Sequence, residues 1–175
     1  NGSFAESQLI YFGRQVIEGL KYLHGVKIVH RNIKPANLLV NSNMVLKISD
    51  FGFSKIIRPT VFSSSSSDGT VYMNPQRFNP QTCGEEDNLY AEDIWSFGVT
   101  LLELYVGGFP FLEPGQKPDW STVMYAVCYG VPSLYDCSSL FRNFIGCCLH
   151  KDLGKRWTAS QLLVHPCLFP PLFSR

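Results

Sequence analysis

The stretch His30-Arg31-Asn32-Ile33-Lys34-Pro35-Ala36-Asn37-Leu38, with Asp50-Phe51-Gly52 after it, decides how the rest of this chain is read. Between the two lie the β-type runs Leu38-Leu39-Val40 and Val45-Leu46-Lys47-Ile48. Asn41-Ser42-Asn43 separates those runs with the composition of a hairpin turn. Ile28-Val29 is a further short apolar run just ahead of His30. Two polar motifs are therefore expected to be mounted on a few short strands.

Outward from this region the chain turns helical. In residues 4–24, Leu9, Phe12, Val16, Leu20 and Leu23 recur at three- and four-residue steps, the period of a helix with one buried face. Ala91 to Val106 repeats that pattern with Ile94, Phe97, Leu101, Leu104 and Tyr105, and Gly107-Gly108 with Pro110 ends it. Helical patterns recur at Trp120–Tyr129, Ser138–Leu149 and Thr158–Val164, with Thr158 as an N-cap. Residues 53–70 lose all periodicity and, with Arg58, Pro59, five serines at 63–67, Asp68 and Gly69, are read as a mobile loop. Phe109, Phe111, Trp120 and Trp157 are assigned to the core.

Composition narrows the class. With 175 residues, 45% hydrophobic and 17% charged, the chain can build one domain around a real core and is not a disordered tail. Fifteen basic against 14 acidic residues leave a net charge of +1, which supports neither nucleic acid nor an anionic membrane as partner. No apolar run approaches the roughly 20 residues of a membrane span. The cysteines at 83, 128, 137, 147, 148 and 167 show no C-x-x-C pair and no zinc spacing, so they are read as free thiols in a reducing compartment. The chain opens without a methionine or a charged-then-apolar signal segment. The expectation is a soluble protein of the cytoplasm or nucleus, cut from something longer.

On these residues the chain resembles a protein kinase. Residues 30–38 are similar to the family's catalytic loop and Asp50-Phe51-Gly52 to its magnesium-binding element, in the family's order and strand-loop context. Gly69-Thr70-Val71-Tyr72-Met73-Asn74-Pro75-Gln76 resembles the segment that closes the activation loop. Trp157-Thr158-Ala159-Ser160-Gln161-Leu162-Leu163 and Gly130-Val131-Pro132 resemble plant MAP kinase kinases. The resemblance assigns residues 1–175 to the mainly α-helical C-terminal lobe of the kinase fold, with a short β-hairpin region carrying both motifs and an activation segment at 53–76. The N-terminal lobe is absent: no G-x-G-x-x-G and no Val-Ala-Ile-Lys-like strand occurs. The surface that would face that lobe is expected to be partly apolar.

The resemblance implies ATP and magnesium as cofactors, a MAP kinase as substrate or binding partner, and an upstream MAP kinase kinase kinase as activator. It makes Asp50 a magnesium ligand, Asn37 a carbonyl ligand for a second magnesium, and Lys34 a positive charge near the transferring phosphate. Asp93 becomes a buried acid that receives N–H groups from the catalytic loop. His30 is read as a packed structural histidine, and His24, His150 and His165 as surface or packing residues. Thr60 and Ser66 match the Ser/Thr-x5-Ser/Thr spacing of plant MAP kinase kinases, and phosphate there would pair with Arg31.

Two positions depart from the family pattern. Asn32 stands where the catalytic loop holds an aspartate that accepts the substrate hydroxyl's proton, and an amide takes no proton at neutral pH. That proton transfer is typically worth about 10²–10⁴ in rate. Gln76 stands where a glutamate pairs with an arginine, here Arg156. The leading expectation is an impaired or silent kinase lobe. An active kinase in its full-length form and a non-catalytic scaffold for MAP kinase pathway partners stand as alternatives.

Overall fold

The computed structural model describes residues 4–57, 72–78, 86–112, 116, 119–132, 134 and 136–169, with the side chains of 86–88 excepted. Thr60, Ser66, Cys83 and most of the expected activation segment lie outside the described residues.

Helix α1 spans Glu6–Gly25 and buries Leu9, Val16, Leu20 and Leu23, as the three-four spacing requires. It begins where the Gln8 side chain accepts the Ala5 N–H at 3.1 Å. Strands β1 (Ile28–Val29), β2 (Leu38–Val40) and β3 (Leu46–Ile48) follow. β2 and β3 form the expected antiparallel hairpin, with Leu38 opposite Ile48 and Val40 opposite Leu46. Asn41 Oδ1 organises its turn by accepting the N–H groups of Asn43 and Val45, both at 3.0 Å.

β1 finds its partner inside the stretch read as a loop. Lys55–Ile56 forms β4, antiparallel to β1, with Ile28 opposite Ile56 and Val29 opposite Lys55. Two residues carry no periodicity of their own, so only the pairing across the chain reveals this strand.

Helix α2 (Glu86–Val106) starts five residues before the expected Ala91 and runs through the centre of the lobe. Ile94, Trp95, Phe97, Val99, Leu101 and Leu102 are all buried, so the helix is covered on every side. Gly98 lets the segment around Cys148 and Leu149 come close: a Cβ there would meet Cys148 Cβ at 2.7 Å and Leu149 Cδ2 at 2.8 Å. Gly107, at φ +79°, ends α2 in the left-handed conformation that glycine tolerates.

Helix α3 covers Trp120–Tyr129, α4 Ser139–Cys148 and α5 Ala159–Leu162, each close to its expected range. Thr158 caps α5 in a reciprocal box with Gln161. Trp120 departs from expectation: it is 55% exposed, as are Tyr125 at 66% and Tyr129 at 74% on the same helix. It stacks edge-on against Phe78 at the surface instead of joining the core. Phe109, Phe111 and Trp157 do pack against the core. The hairpin and its neighbours expose Leu39, Val40, Met44, Val45, Phe51 and Ile56.

Candidate functional site

The two polar motifs meet at the open end of the β2–β3 hairpin. Lys34-Pro35 starts a single 3-10 turn, Pro35–Asn37, in which proline sits where no N–H partner is needed. The turn aims Asn37 inward, where its Nδ2 donates to the Asn32 carbonyl at 2.8 Å. The Asn37 carbonyl in turn accepts the Ser49 N–H at 2.9 Å and the Ser49 hydroxyl at 3.0 Å. These bonds tie the loop 30–37 to the residue that precedes Asp50.

Asp50 follows at φ 63°, ψ 72°, and Arg31 is also left-handed at φ 67°. Such conformations cost a non-glycine residue about 1–3 kcal/mol and persist only where the surroundings enforce them. At Arg31 the enforcing group is Asp93 on α2, which accepts the N–H of His30 at 2.9 Å and of Arg31 at 2.7 Å. His24, on the last turn of α1, adds a ring contact to the same carboxylate at 2.9 Å. Sequence reasoning left His24 without a role, because nothing in its neighbourhood signals a carboxylate 69 residues away.

His30 is fully buried and fixed at both nitrogens. Its Nε2 lies 3.0 Å from the Ser49 carbonyl, so it donates there, and Nδ1 accepts the Asn32 N–H at 3.3 Å. Burial holds its pKa below the ordinary imidazole value, and the Phe51 ring packs edge-on against it with centroids 4.8 Å apart. A histidine with both nitrogens engaged is a brace for the loop.

Asn32 and Asp50 are in direct contact: Asn32 Nδ2 donates to Asp50 Oδ2 at 2.7 Å. Asn37 Nδ2 approaches the same oxygen at 3.4 Å, and Asp50 Oδ1 accepts the Gly52 N–H at 3.3 Å. With Asn37 Nδ2 turned toward backbone and Asp50, its amide oxygen remains to face a cation. Asp50 and Asn37 thus supply the hard oxygen donors that magnesium prefers, and the set fits that ion with a single formal negative charge.

Arg31 turns toward Glu92, its Nε 4.0 Å from the carboxylate, and is 6% exposed. Arg77 reaches the other Glu92 oxygen at 3.7 Å. Burial raises the Glu92 pKa and the two arginines oppose that rise. A phosphate brought to Arg31 would therefore compete with Glu92, a carboxylate 61 positions away that no local motif announces.

Gln76 meets Arg156: Arg156 Nη2 donates to Gln76 Oε1 at 2.9 Å, and Gln76 Nε2 donates to the Lys151 carbonyl at 2.6 Å. Arg156 also donates to the carbonyls of His150 at 2.9 Å and Ala91 at 3.1 Å and lies over the Trp95 ring at 5.0 Å. Burial lowers its pKa to about 10.

The family profile described as "Protein kinase domain" matches residues 1–168. The chain belongs to the protein kinase family. This kinase chain is 54% identical over 170 residues to mitogen-activated protein kinase kinase 9 of Arabidopsis thaliana, covering 95% of itself and 55% of that protein. It is 55% identical over 170 residues to mitogen-activated protein kinase kinase 7 of the same plant, with the same coverages of 95% and 55%. The chain therefore spans about half the length of these curated relatives. The crystal structure of the Rad53 kinase domain matches with a TM-score of 0.79 at 23% identity, over 97% of this chain and 58% of that one, and shares the fold. The mainly helical architecture with its short hairpin is that of the larger lobe of a kinase. Among the described residues no helix is long and apolar enough to cross a membrane.

Proposed function

We propose that this kinase chain is the larger lobe of a MAP kinase kinase in which phosphoryl transfer is silent or strongly impaired. The observation that carries the reading is Asn32, whose amide nitrogen sits 2.7 Å from Asp50 where the family pattern has a proton-accepting carboxylate. The amide donates where a base must accept, and it lacks a proton-accepting state at neutral pH.

Asp50 and Asn37 would hold magnesium in this reading, and the ion when bound would neutralise charge on the phosphates of ATP. The chain's own residues do the rest. Asp93 and His30 brace the loop and Asn37 orients its oxygen by donating to Asn32, while Lys34, at the start of the turn that carries Asn37, is the residue that would bring a positive charge to the phosphates. The substrate class is a MAP kinase and the activator an upstream kinase acting at Thr60 and Ser66, as the resemblance implies. Because the sequence holds no Gly-rich loop, these 175 residues are expected to bind Mg-ATP more weakly than micromolar.

The deciding experiment is phosphate transfer from ATP to a catalytically inactive MAP kinase by the full-length protein, with Asn32 and with Asn32→Asp. No transfer with Asn32 and its restoration by about 10²–10⁴ in the Asp form is the expected result. Equal rates from both forms would sink the reading.

A second reading, a docking lobe without chemistry, is favoured by the exposed Trp120, Tyr125 and Tyr129 on α3. It predicts a complex with a MAP kinase that survives Asp50→Ala and is lost on Trp120→Ala with Tyr125→Ala.

A further inference from the structure

We propose that Glu92 is a positioning residue whose carboxylate stands where a regulatory phosphate would be held, keeping Arg31 and Arg77 engaged so that the catalytic loop is set without phosphorylation. The inference rests on the kinase reading of Arg31 and of residues 53–76, and it is separate from whether Asn32 permits phosphate transfer.

Two arginines from different segments converge on one carboxylate. Arg31 Nε lies 4.0 Å from Glu92 Oε2, and Arg77 Nη1 lies 3.7 Å from Oε1. All three side chains are largely buried, at 6%, 18% and 13% exposure for Arg31, Arg77 and Glu92. Arg31 belongs to the loop that carries Asn32 and Asn37, and Arg77 to the 3-10 turn Pro75–Phe78. Glu92 therefore joins the catalytic loop to the end of the expected activation segment. A phosphate on that segment would make the same connection, because a guanidinium pairs with phosphate and carboxylate alike.

Arg31 is fixed from both ends by adjacent residues of α2. Asp93 accepts its N–H at 2.7 Å and holds its backbone at φ 67°, while Glu92 takes its side chain. Of the other charges that act on Glu92, Asp93 repels it and Arg156 attracts it. Asp93 is no substitute for Glu92, since its oxygens already accept the His30 and Arg31 N–H groups and the His24 ring contact.

The space around the carboxylate is closed. The cavity lined by Arg31, Asn74, Arg77 and Glu92 has a volume of about 20 Å³. That is room for one water and too little for a tetrahedral phosphate. Asn74 is 1% exposed, and its Oδ1 accepts the Arg77 N–H at 3.1 Å. Its Nδ2 has no hydrogen-bond partner among the described residues and is a further donor on the cavity wall. The donors suit an oxyanion, and Glu92 already fills the place of one.

The test needs neither nucleotide nor substrate. Glu92→Gln keeps the shape of the side chain and removes its charge. Thermal unfolding of the full chain, of Glu92→Gln and of Glu92→Gln with Arg31→Gln is followed in millimolar inorganic phosphate and in chloride of equal ionic strength. The unmodified chain should melt at nearly the same temperature in both. Glu92→Gln should melt several degrees lower in chloride and recover most of that loss in phosphate. It should also bind phosphate about tenfold more tightly than the unmodified chain, a difference of about 1.4 kcal/mol. Adding Arg31→Gln should abolish the recovery, which a general salt effect would leave in place. If Glu92→Gln has no cooperative transition in chloride, its return in phosphate supports the proposal, and failure to return overturns it. Equal phosphate gains in the unmodified chain and Glu92→Gln, or a recovery that survives Arg31→Gln, also overturn it. Phosphate transfer by the unmodified protein would remove the impaired-kinase reading and leave these readouts standing.

Discussion

Arg156 reaches Gln76 across 80 residues of sequence and closes the contact at 2.9 Å with a neutral amide as its acceptor. The amide also serves in the other direction, since Gln76 Nε2 donates to the Lys151 carbonyl at 2.6 Å. A glutamate could satisfy the arginine more strongly and would set a carboxylate oxygen against that carbonyl.

Gln76→Ala is accordingly expected to destabilise the lobe by about 1–3 kcal/mol, because it strands a buried guanidinium N–H and a carbonyl. Gln76→Glu is expected to stay within about 1 kcal/mol of the unmodified chain, the ion pair being offset by the lost Lys151 bond. Urea midpoints of the three forms decide, and a gain of several kcal/mol in Gln76→Glu would show that the Lys151 bond carries nothing.

Asp93 is the acceptor for two loop N–H groups and the His24 ring. Asp93→Ala removes the carboxylate that accepts the His30 and Arg31 N–H groups and holds Arg31 in its left-handed conformation. The expected loss is about 3–5 kcal/mol, a large share of an ordinary domain's stability of about 5–15. The chemical denaturation midpoint measures it, and a loss below about 1 kcal/mol would contradict the bracing role.

His165 predicts a pH dependence away from the candidate site. Its Nε2 donates to Asn143 Oδ1 at 2.8 Å and its Nδ1 accepts the Cys167 N–H at 3.0 Å, so the ring is held neutral. Burial lowers its folded pKa below the value of 6.5 it has when unfolded. The unfolded state then binds more protons on acidification, so this contribution is whole above about pH 6.5 and is lost as pH falls through the lowered folded value. Melting temperatures between about pH 7.5 and 5.5 should fall in the unmodified chain and fall less in His165→Gln.

Two glycines on facing helices should respond oppositely to alanine. Gly98→Ala sets a Cβ within 2.7 Å of Cys148 Cβ and should lower stability by about 1–2 kcal/mol after the helix-propensity gain is counted. Gly146→Ala meets nothing within 4 Å inside α4 and should raise stability by about 0.5–1 kcal/mol. For a chain of this size each kcal/mol moves the melting temperature by about 2–4 °C, which calorimetry resolves.

Much of this lobe was legible in the sequence because its signals are local. The three-four spacing of Leu9 to Leu23 made α1, the Thr158 box with Gln161 started α5, and Asn41 shaped the turn between β2 and β3. The order of Asn32, Lys34, Asn37 and Asp50 pointed to the family for the same reason: each residue type belongs to a short motif. Whatever depended on distant partners stayed hidden. Lys55–Ile56 is a strand only because Ile28–Val29 lies beside it, and Trp120 keeps its ring in solvent only because Phe78 is what it meets. His24 acquires a carboxylate, and Arg31 acquires Glu92, through the packing of α1 and the loop on α2.

Asn32 shows the division most clearly. The sequence by itself determined that the side chain at this position accepts no proton at neutral pH, since that follows from the chemistry of an amide. Only the tertiary structure decided what the amide does instead, because its 2.7 Å bond to Asp50 exists through a hairpin, a proline-started turn and a buried histidine that bring two short motifs face to face.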